Sequence, residues 1–531
     1  MIEFDPFLVH EWLRRSARQH PAKVALVADQ ERWTYASLDK RTDAFSFALQ
    51  SMGLQYQDRV LILLDNSAES VISMYGVMKA GAVSVMLSGS MKGKKLRYIY
   101  KNSGAQFLIT HTLKARAVKE AFMTEDDRPT IIWVGNKKAI PKEMAADSFF
   151  WDETIVEQSQ PEVHGRNGRT TPLLDVDLCS LVYTSGTTGT PKGVICTHQS
   201  MISVAKSVIQ YLDNRPEDRI LNVLPLSFGY GLYQVLMTFM FGGTVILERS
   251  FMYPSQILER IAQESVTGFP IVPTIAAMWL KMKDMSPYKF DTLRYLTSAG
   301  AALPVKHIRC LQKLLPQASI IPMYGLTECK RVSYLCPEEL DRRPNSVGKA
   351  LPNCVVSLVD AQGQEVAPNQ IGELVVRGAN VMQGYWGDPE LTSKVFQPGD
   401  HPCQRRLYTG DYFRMDSEGF LYFVGRKDDM INSQGERVSP QEIENCICEL
   451  NEVVEVAVVG VPDDVLGQAI KAYVVVREGQ SLKENDVLRI CAQQIESYMI
   501  PKVIEFVEEL PHTANGKINK QLLTNAEVLV S

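Results

Sequence analysis

The sequence predicts an α/β protein: a large N-terminal domain of layered β-sheets and helices with a small antiparallel portion, followed by a small α+β C-terminal domain. Three observations predict it. The chain has 531 residues, more than one hydrophobic core usually serves. From residue 20 to about 145, and again beyond 176, short β-rich runs alternate with helical patterns, as in a mostly parallel sheet with helices on both faces. From 350 to 425 the texture changes to short β segments with Gly and Asn turns, and after 425 to a compact α+β stretch. The boundary is placed there, giving domains 1–425 and 426–531.

Taken in order, 59–64 reads as a buried strand. Residues 67–79 have a helical spread of apolar residues that stops before Gly81. Runs 106–110 and 130–134 are further strands. Residues 150–176 are polar and broken by Pro161, Gly165, Gly168 and Pro172, which marks a surface connection. Strands follow at 220–224, 244–247, 266–269 and 293–297, with helices at 198–210, 254–264, 272–282 and 304–314. In the last part, the helix 439–450 opens on Ser439 as N-cap, Pro440 at the first position and Glu442 as a capping glutamate. Runs 453–461 and 471–476 are strands, and 485–496 is a helix.

Composition excludes several classes. Lys and Arg number 56 against 61 Asp and Glu, and the net charge is -5. That balance has no polybasic arm and gives no support for a nucleic-acid partner. The longest apolar run, 235–247, is broken by Thr238 and Gly242-Gly243, so it reads as a buried helix and strand, not a membrane span. The N-terminus has no basic segment followed by a long apolar run, so no signal peptide is expected. All 10 cysteines follow residue 178, with no CxxC and no histidine placed to complete a zinc site. Free thiols in a reducing cytoplasm are expected.

The most informative segment runs from Leu181 to Val194 and contains Thr184-Ser185-Gly186-Thr187-Thr188-Gly189-Thr190-Pro191-Lys192-Gly193. Glycines let backbone N–H groups surround an anion, hydroxyls donate further hydrogen bonds, and Lys192 adds positive charge. By composition this is a polyphosphate cradle. It is not a Walker A loop, which would need glycine in place of Pro191 and a hydroxyl residue in place of Gly193.

Here the sequence resembles the adenylate-forming superfamily of acyl- and aryl-CoA ligases, stand-alone adenylation enzymes and beetle luciferases. The resemblance covers nearly the whole chain. Besides the loop, it rests on Trp33-Thr34-Tyr35 with Leu38, Leu224-Pro225-Leu226 with Gly231, Tyr324-Gly325-Leu326-Thr327-Glu328, Gly372-Glu373-Leu374 and Gly384-Tyr385-Trp386. Tyr408-Thr409-Gly410-Asp411, Gly425-Arg426-Lys427-Asp428-Asp429 with Gly435 and Pro440-Gln441-Glu442, and Asn515-Gly516-Lys517-Ile518 complete it.

The resemblance implies a reaction in two steps, with ATP and Mg²⁺ as cofactors. A carboxylate attacks the α-phosphate of ATP and expels pyrophosphate; a thiol then attacks the acyl-AMP to give a thioester and AMP. The first step joins two anions, so positive charge must gather at the reacting phosphate. By position, Lys517 would bridge the carboxylate and the α-phosphate, with Thr327 also at that phosphate. Thr184, Ser185, Gly186, Thr187, Thr188, Gly189 and Lys192 would hold phosphates, and Glu328 the Mg²⁺. Asp411 would take the ribose hydroxyls, Tyr324 would stack on adenine, and Arg426 would contact ribose or phosphate. Asp428 matches the hinge about which the C-terminal domain turns, replacing Lys517 by the segment around Gly435, which would line the thiol tunnel.

The acyl pocket is expected at Ser227, Phe228, Tyr230, Ser298, Gly300 and Met323. Phe228 stands where many relatives carry a histidine, Asn432 replaces a frequent lysine, and His512 and Lys520 replace frequent arginines. Met323, if aimed into the pocket, shortens it and favours a small acid. The segment 227–231 has no carboxylate to partner an α-ammonium, which disfavours a primary α-amino acid. The runs Leu232-Tyr233-Gln234 and 378–385 resemble stand-alone enzymes that load small acids or proline onto carrier proteins. The expected reaction is therefore transfer of a small carboxylic or cyclic amino acid to the phosphopantetheine of a separate carrier protein. Free CoA is the alternative acceptor. A scaffold without catalysis would predict loss of Lys517, Glu328 or Asp411, and all three are present.

Overall fold

The computed structural model describes residues 5–122, 127–140, 144, 148–156, 172–185, 190–282, 284–401, 404–427, 429–433, 436–463, 467–513 and 517–528. Four sheets organise the chain. The first has nine strands, in spatial order Lys349–Ala350, Ser333–Tyr334, Ser319–Tyr324, Tyr295–Ser298, Gly268–Ile271, Arg219–Asn222, Thr244–Leu247, Val24–Ala28 and Glu31–Thr34. Its interior pairs are parallel, and antiparallel pairs close both edges. The second has seven strands: Ser148–Phe150, Thr130–Val134, Phe107–His111, Arg59–Leu63, Val83–Met86, Leu178–Ser185 and Pro191–Thr197.

Alternation along the strands buries both faces of the second sheet. Val60 and Ile62 join the main core, while Leu61 and Leu63 join a second cluster. Helices Ala68–Lys79 and Gly229–Phe241 are apolar almost all round and share the main core with both sheets. Ser67 caps the first of these through a reciprocal pair of hydrogen bonds with Ser70.

The third sheet is antiparallel, built from Cys354–Val359, Ile371–Gly378, Arg405–Met415, Phe396–Pro398 and Leu421–Arg426. The fourth combines Glu436–Val438, Ile431–Ser433, Gly467–Val476, Val453–Asp463 and Val503–Val507 with helices Pro440–Cys448 and Glu484–Gln494. It has its own apolar clusters. This is the large α/β unit with an antiparallel portion and smaller α+β unit that the sequence predicts.

Details differ from the sequence reading. The strand expected at 266–269 is Gly268–Ile271, and that at 293–297 is Tyr295–Ser298. Their limits follow from pairing, Gly268 opposite Tyr295 and Ile271 opposite Ser298, not from propensity. The hairpin Val24–Thr34 joins the sheet built much later in the chain, with Leu26 beside Val245. Ser439 does cap its helix, accepting from the Glu442 N–H at 3.4 Å; its own hydroxyl donates to the Val424 carbonyl. Among the described residues, no helix is long and apolar enough to cross a membrane. The nine described cysteines are free.

Candidate active site

The hydroxyl- and glycine-rich loop joins the last two strands of the second sheet. Thr184 lies opposite Lys192, and Ser185 opposite Pro191. Gly186, Thr187, Thr188 and Gly189, and the side chain of Ser185, lie outside the described residues. Backbone hydrogen bonds fasten the segment 383–386 to this hairpin: Ile195 N–H to Gly384 at 2.9 Å, Gln383 N–H to Ile195 at 3.1 Å and Trp386 N–H to Gly193 at 2.7 Å. That places Tyr385 so that its hydroxyl donates to Glu328 Oε1 at 2.7 Å. Burial, then the Glu328 charge, pushes the Tyr385 phenol up.

Glu328 comes from the turn that follows strand Ser319–Tyr324. The turn is tight. A methyl group on Gly325 would lie 2.1 Å from the Lys330 carbonyl oxygen, so glycine is needed for the close approach. Thr327 lies in the same turn, half-buried. Tyr324 ends the strand, and its hydroxyl donates to Asp411 Oδ2 at 2.6 Å. Its ring meets Phe413 edge to face, with centroids 4.8 Å apart. Asp411 and Arg426 face each other on paired strands of the third sheet, and Arg426 Nε donates to Asp411 Oδ1 at 3.1 Å. Asp411 is 6% exposed. Burial raises its carboxyl pKa, opposed by Arg426, Tyr324 and Lys517.

Lys517 reaches the same cleft from the C-terminal part. Solvent touches its side chain, yet protein crowds it from several directions. That crowding, then Arg426, pulls the ammonium pKa down, while Asp411 and Glu328 act in the opposite sense. Its Cε would lie 3.7 Å from a methyl group on Gly300, and so would Cζ of Phe228. Gly300 has φ +94°, a conformation that favours glycine. Asp428 and Gly435 lie outside the described residues.

The segment carrying Ser227, Phe228 and Tyr230 is pinned from below. Asn66 donates to the carbonyls of Leu224 at 3.0 Å and Glu248 at 2.9 Å, and accepts from the Leu226 N–H at 3.0 Å. The Tyr230 hydroxyl and Thr297 Oγ1 are 2.6 Å apart. Ser298 is buried, and its hydroxyl has no hydrogen-bond partner. Met323 sits in the main core, and its sulfur accepts the Tyr211 hydroxyl at 2.6 Å.

Sequence reasoning missed four residues here. Asn66 carries no motif. Tyr385 stood inside a recognised motif without an assigned role. Lys330 and Arg331 follow Glu328 after one residue, and adjacent cations in a largely apolar stretch are a readable signal. Arg331 lies with its guanidinium carbon 4.8 Å from the Tyr230 ring centroid.

Among the described residues, no group of three or more His, Cys, Asp or Glu could hold a metal. A single carboxylate such as Glu328 is compatible with Mg²⁺, which commonly takes one or two carboxylates together with substrate phosphates and water.

Comparison with known proteins identifies the family. The family model "AMP-binding enzyme" matches residues 13–386, and "AMP-binding enzyme C-terminal domain" matches 442–517. A long-chain-fatty-acid–CoA ligase of Bacillus subtilis (strain 168) is 31% identical, with 97% of this chain and 94% of that protein covered. An indoleacetate–CoA ligase of Aromatoleum aromaticum is also 31% identical, covering 96% of each. Among solved structures, an anthranilate CoA ligase bound to anthranoyl-AMP superposes with TM-score 0.88 at 27% identity, covering 98% of both chains. The o-succinylbenzoate CoA synthetase of Bacillus subtilis, bound to its acyl-adenylate, gives 0.80 at 27%, covering 96% of this chain and 97% of that one. The chain belongs to the AMP-binding, adenylate-forming family. Its activity is that of an AMP-forming acid–thiol ligase.

These matches correct one expectation. The sequence reading favoured a small acid or proline loaded onto a carrier protein, whereas the relatives named are CoA ligases and a CoA synthetase. That preference rested on the texture of two short runs, neither of which identifies a thiol acceptor.

Proposed function

We propose that this enzyme converts a carboxylic acid, ATP and CoA to an acyl-CoA, AMP and pyrophosphate, by way of an acyl-AMP. The observation that carries the reading is the convergence of Lys517, Arg426, Asp411 and Glu328 on one cleft. Lys517 neutralises the approach of the carboxylate to the α-phosphate, with Thr327 beside it. Asp411 accepts the ribose hydroxyls, while Tyr324 and Arg426 hold that carboxylate in place and flank the nucleotide. Thr184, Lys192 and the loop between them grip the phosphates. Glu328, steadied by Tyr385, would hold Mg²⁺, which supplies charge neutralisation at the phosphates when bound.

The second step needs room for a thiol where Lys517 stands. We assign that exchange to rotation of the C-terminal part beyond Asp428, which brings the segment around Gly435 to the site. The test is to incubate the purified protein with ATP, Mg²⁺, CoA and a panel of small acyl and aryl acids. Acid-dependent AMP release accompanied by an acyl-CoA supports the reading. AMP release that no acid stimulates, or thioester formed on a carrier protein but not on CoA, overturns it.

A further inference from the structure

Two buried cations beside the acyl segment have no role in the reaction as derived so far. Lys330 is 8% exposed and Arg331 6% exposed. Lys330 Nζ and Arg331 Nε are buried without a hydrogen-bond partner. Neither side chain takes part in an ion pair among the described residues; Glu328, two residues away from Lys330, is engaged by Tyr385 instead. A buried ammonium left unpaired is costly, and such a group is kept where something else supplies the missing charge.

The direction in which Lys330 points is set by its contacts. A methyl group on Gly229 would lie 3.3 Å from Lys330 Nζ. Gly229 is the first residue of the 13-residue helix Gly229–Phe241, whose N-cap, Phe228, makes no side-chain capping bond. The N–H groups of a helix's first turn and the positive end of its dipole favour an anion and disfavour a cation. Here a cation stands at that end. Both features ask for the same thing, a negative group between them. The Arg331 guanidinium lies over Tyr230 in this helix's first turn, and the Ser298 and Tyr233 hydroxyls are also buried without partners.

The place is close to the chemistry. Phe228, which precedes Gly229, and Lys517 both approach Gly300. A substrate whose reacting carboxylate meets Lys517 would extend past Phe228 toward Lys330. Resting on the ligase reading above, we propose that the acid substrate carries a second carboxylate, held by Lys330, Arg331 and the N-terminus of helix Gly229–Phe241. A dicarboxylic acid would then be activated at one end and recognised at the other. An unbranched fatty acid would place hydrocarbon against two unpaired charges, which is a mechanism of rejection as well as of recognition.

The experiment compares matched pairs of acids by ATP–pyrophosphate exchange: butanoate with succinate, hexanoate with adipate, benzoate with phthalate and terephthalate. In at least one pair, the diacid is expected to exceed the monoacid in kcat/KM by about 100-fold, as for charge-assisted hydrogen bonds to a buried group. Lys330→Met should collapse that ratio, chiefly through the KM for the diacid, and Lys330→Arg should restore much of it. If monoacids match or exceed diacids in every pair, or if the ratio survives Lys330→Met, the second-carboxylate subsite is overturned while the ligase reading stands. If no acid of either kind supports exchange, the ligase reading falls and the subsite with it. The wild-type comparison needs no variant, so the proposal stays testable if Lys330→Met does not fold.

Discussion

Replacing Lys517 with Ala removes one ammonium from a cleft whose other close charges are Arg426, Asp411 and Glu328. Arg426 is already engaged by Asp411, and the Glu328 carboxylate is committed to Tyr385. The cleft thus has little spare positive charge once the lysine is gone. Loss of one preorganised donor at developing charge slows a reaction by about 10²–10³, or about 2.7–4 kcal/mol. The two carboxylates that Lys517 offsets would then face an anionic substrate, which places the expectation near the upper end, about 10³ in kcat/KM. The assay is ATP–pyrophosphate exchange with an accepted acid, run beside thioester formation from chemically supplied acyl-AMP and CoA. The first should fall steeply and the second should proceed. A pH series sharpens the test. The ammonium is the useful form and its pKa is held below its ordinary value, so exchange should fall as pH rises through that lowered pKa. The alkaline fall should vanish with the lysine. Exchange near the parental rate in the Lys517→Ala protein would refute the assignment.

Other outcomes follow from the same geometry. Asp411→Asn presents an amide N–H to one of two donors, the Tyr324 hydroxyl or Arg426 Nε. Loss of a charge-assisted bond of about 1.5–3 kcal/mol should raise the KM for ATP by about 10–100-fold, measured at saturating acid. Asn66→Ala deletes three hydrogen bonds, two to the acyl segment at Leu224 and Leu226 and one to the Glu248 carbonyl. At about 1 kcal/mol each, it should lower unfolding stability by about 3 kcal/mol, read from the urea midpoint. Burial, then Lys306 and Arg477, lowers the His307 pKa from 6.5 to about 4. The folded histidine stays neutral while the unfolded one gains a proton, so stability should fall as pH drops from 6.5 through about 4. His307→Gln should flatten that part of the stability profile.

The sequence exposed some of this more readily than the rest. The strands 59–63 and 130–134 could be placed because they are buried on both faces and read as continuous apolar runs. The helix Ala68–Lys79 was legible through its apolar spread and its end before Gly81. What pairing decides was not legible: that the Val24–Thr34 hairpin lies beside Thr244–Leu247, or that two large sheets share one core. At the site, motif positions pointed to Asp411 and Tyr324, but not to the hydrogen bond between them. Lys330 and Arg331 escaped because a cation next to a motif reads as a solvated flank until its burial is known. Asn66 escaped because its partners are backbone atoms more than a hundred residues away.

Arg426 is the last residue of the third sheet, clasped to Asp411, and the fourth sheet starts only at Ile431. On the rotation proposed about Asp428, the proposed grip on the ribose is moored on the stationary side of the joint, at its very edge. Lys517, by contrast, belongs to the part beyond it. A swing of that part would withdraw the activating charge and leave the adenylate handle held. The intermediate would then wait in place for its second reagent instead of being handed from one site to another, and its exposure to water would be set by how quickly the joint turns.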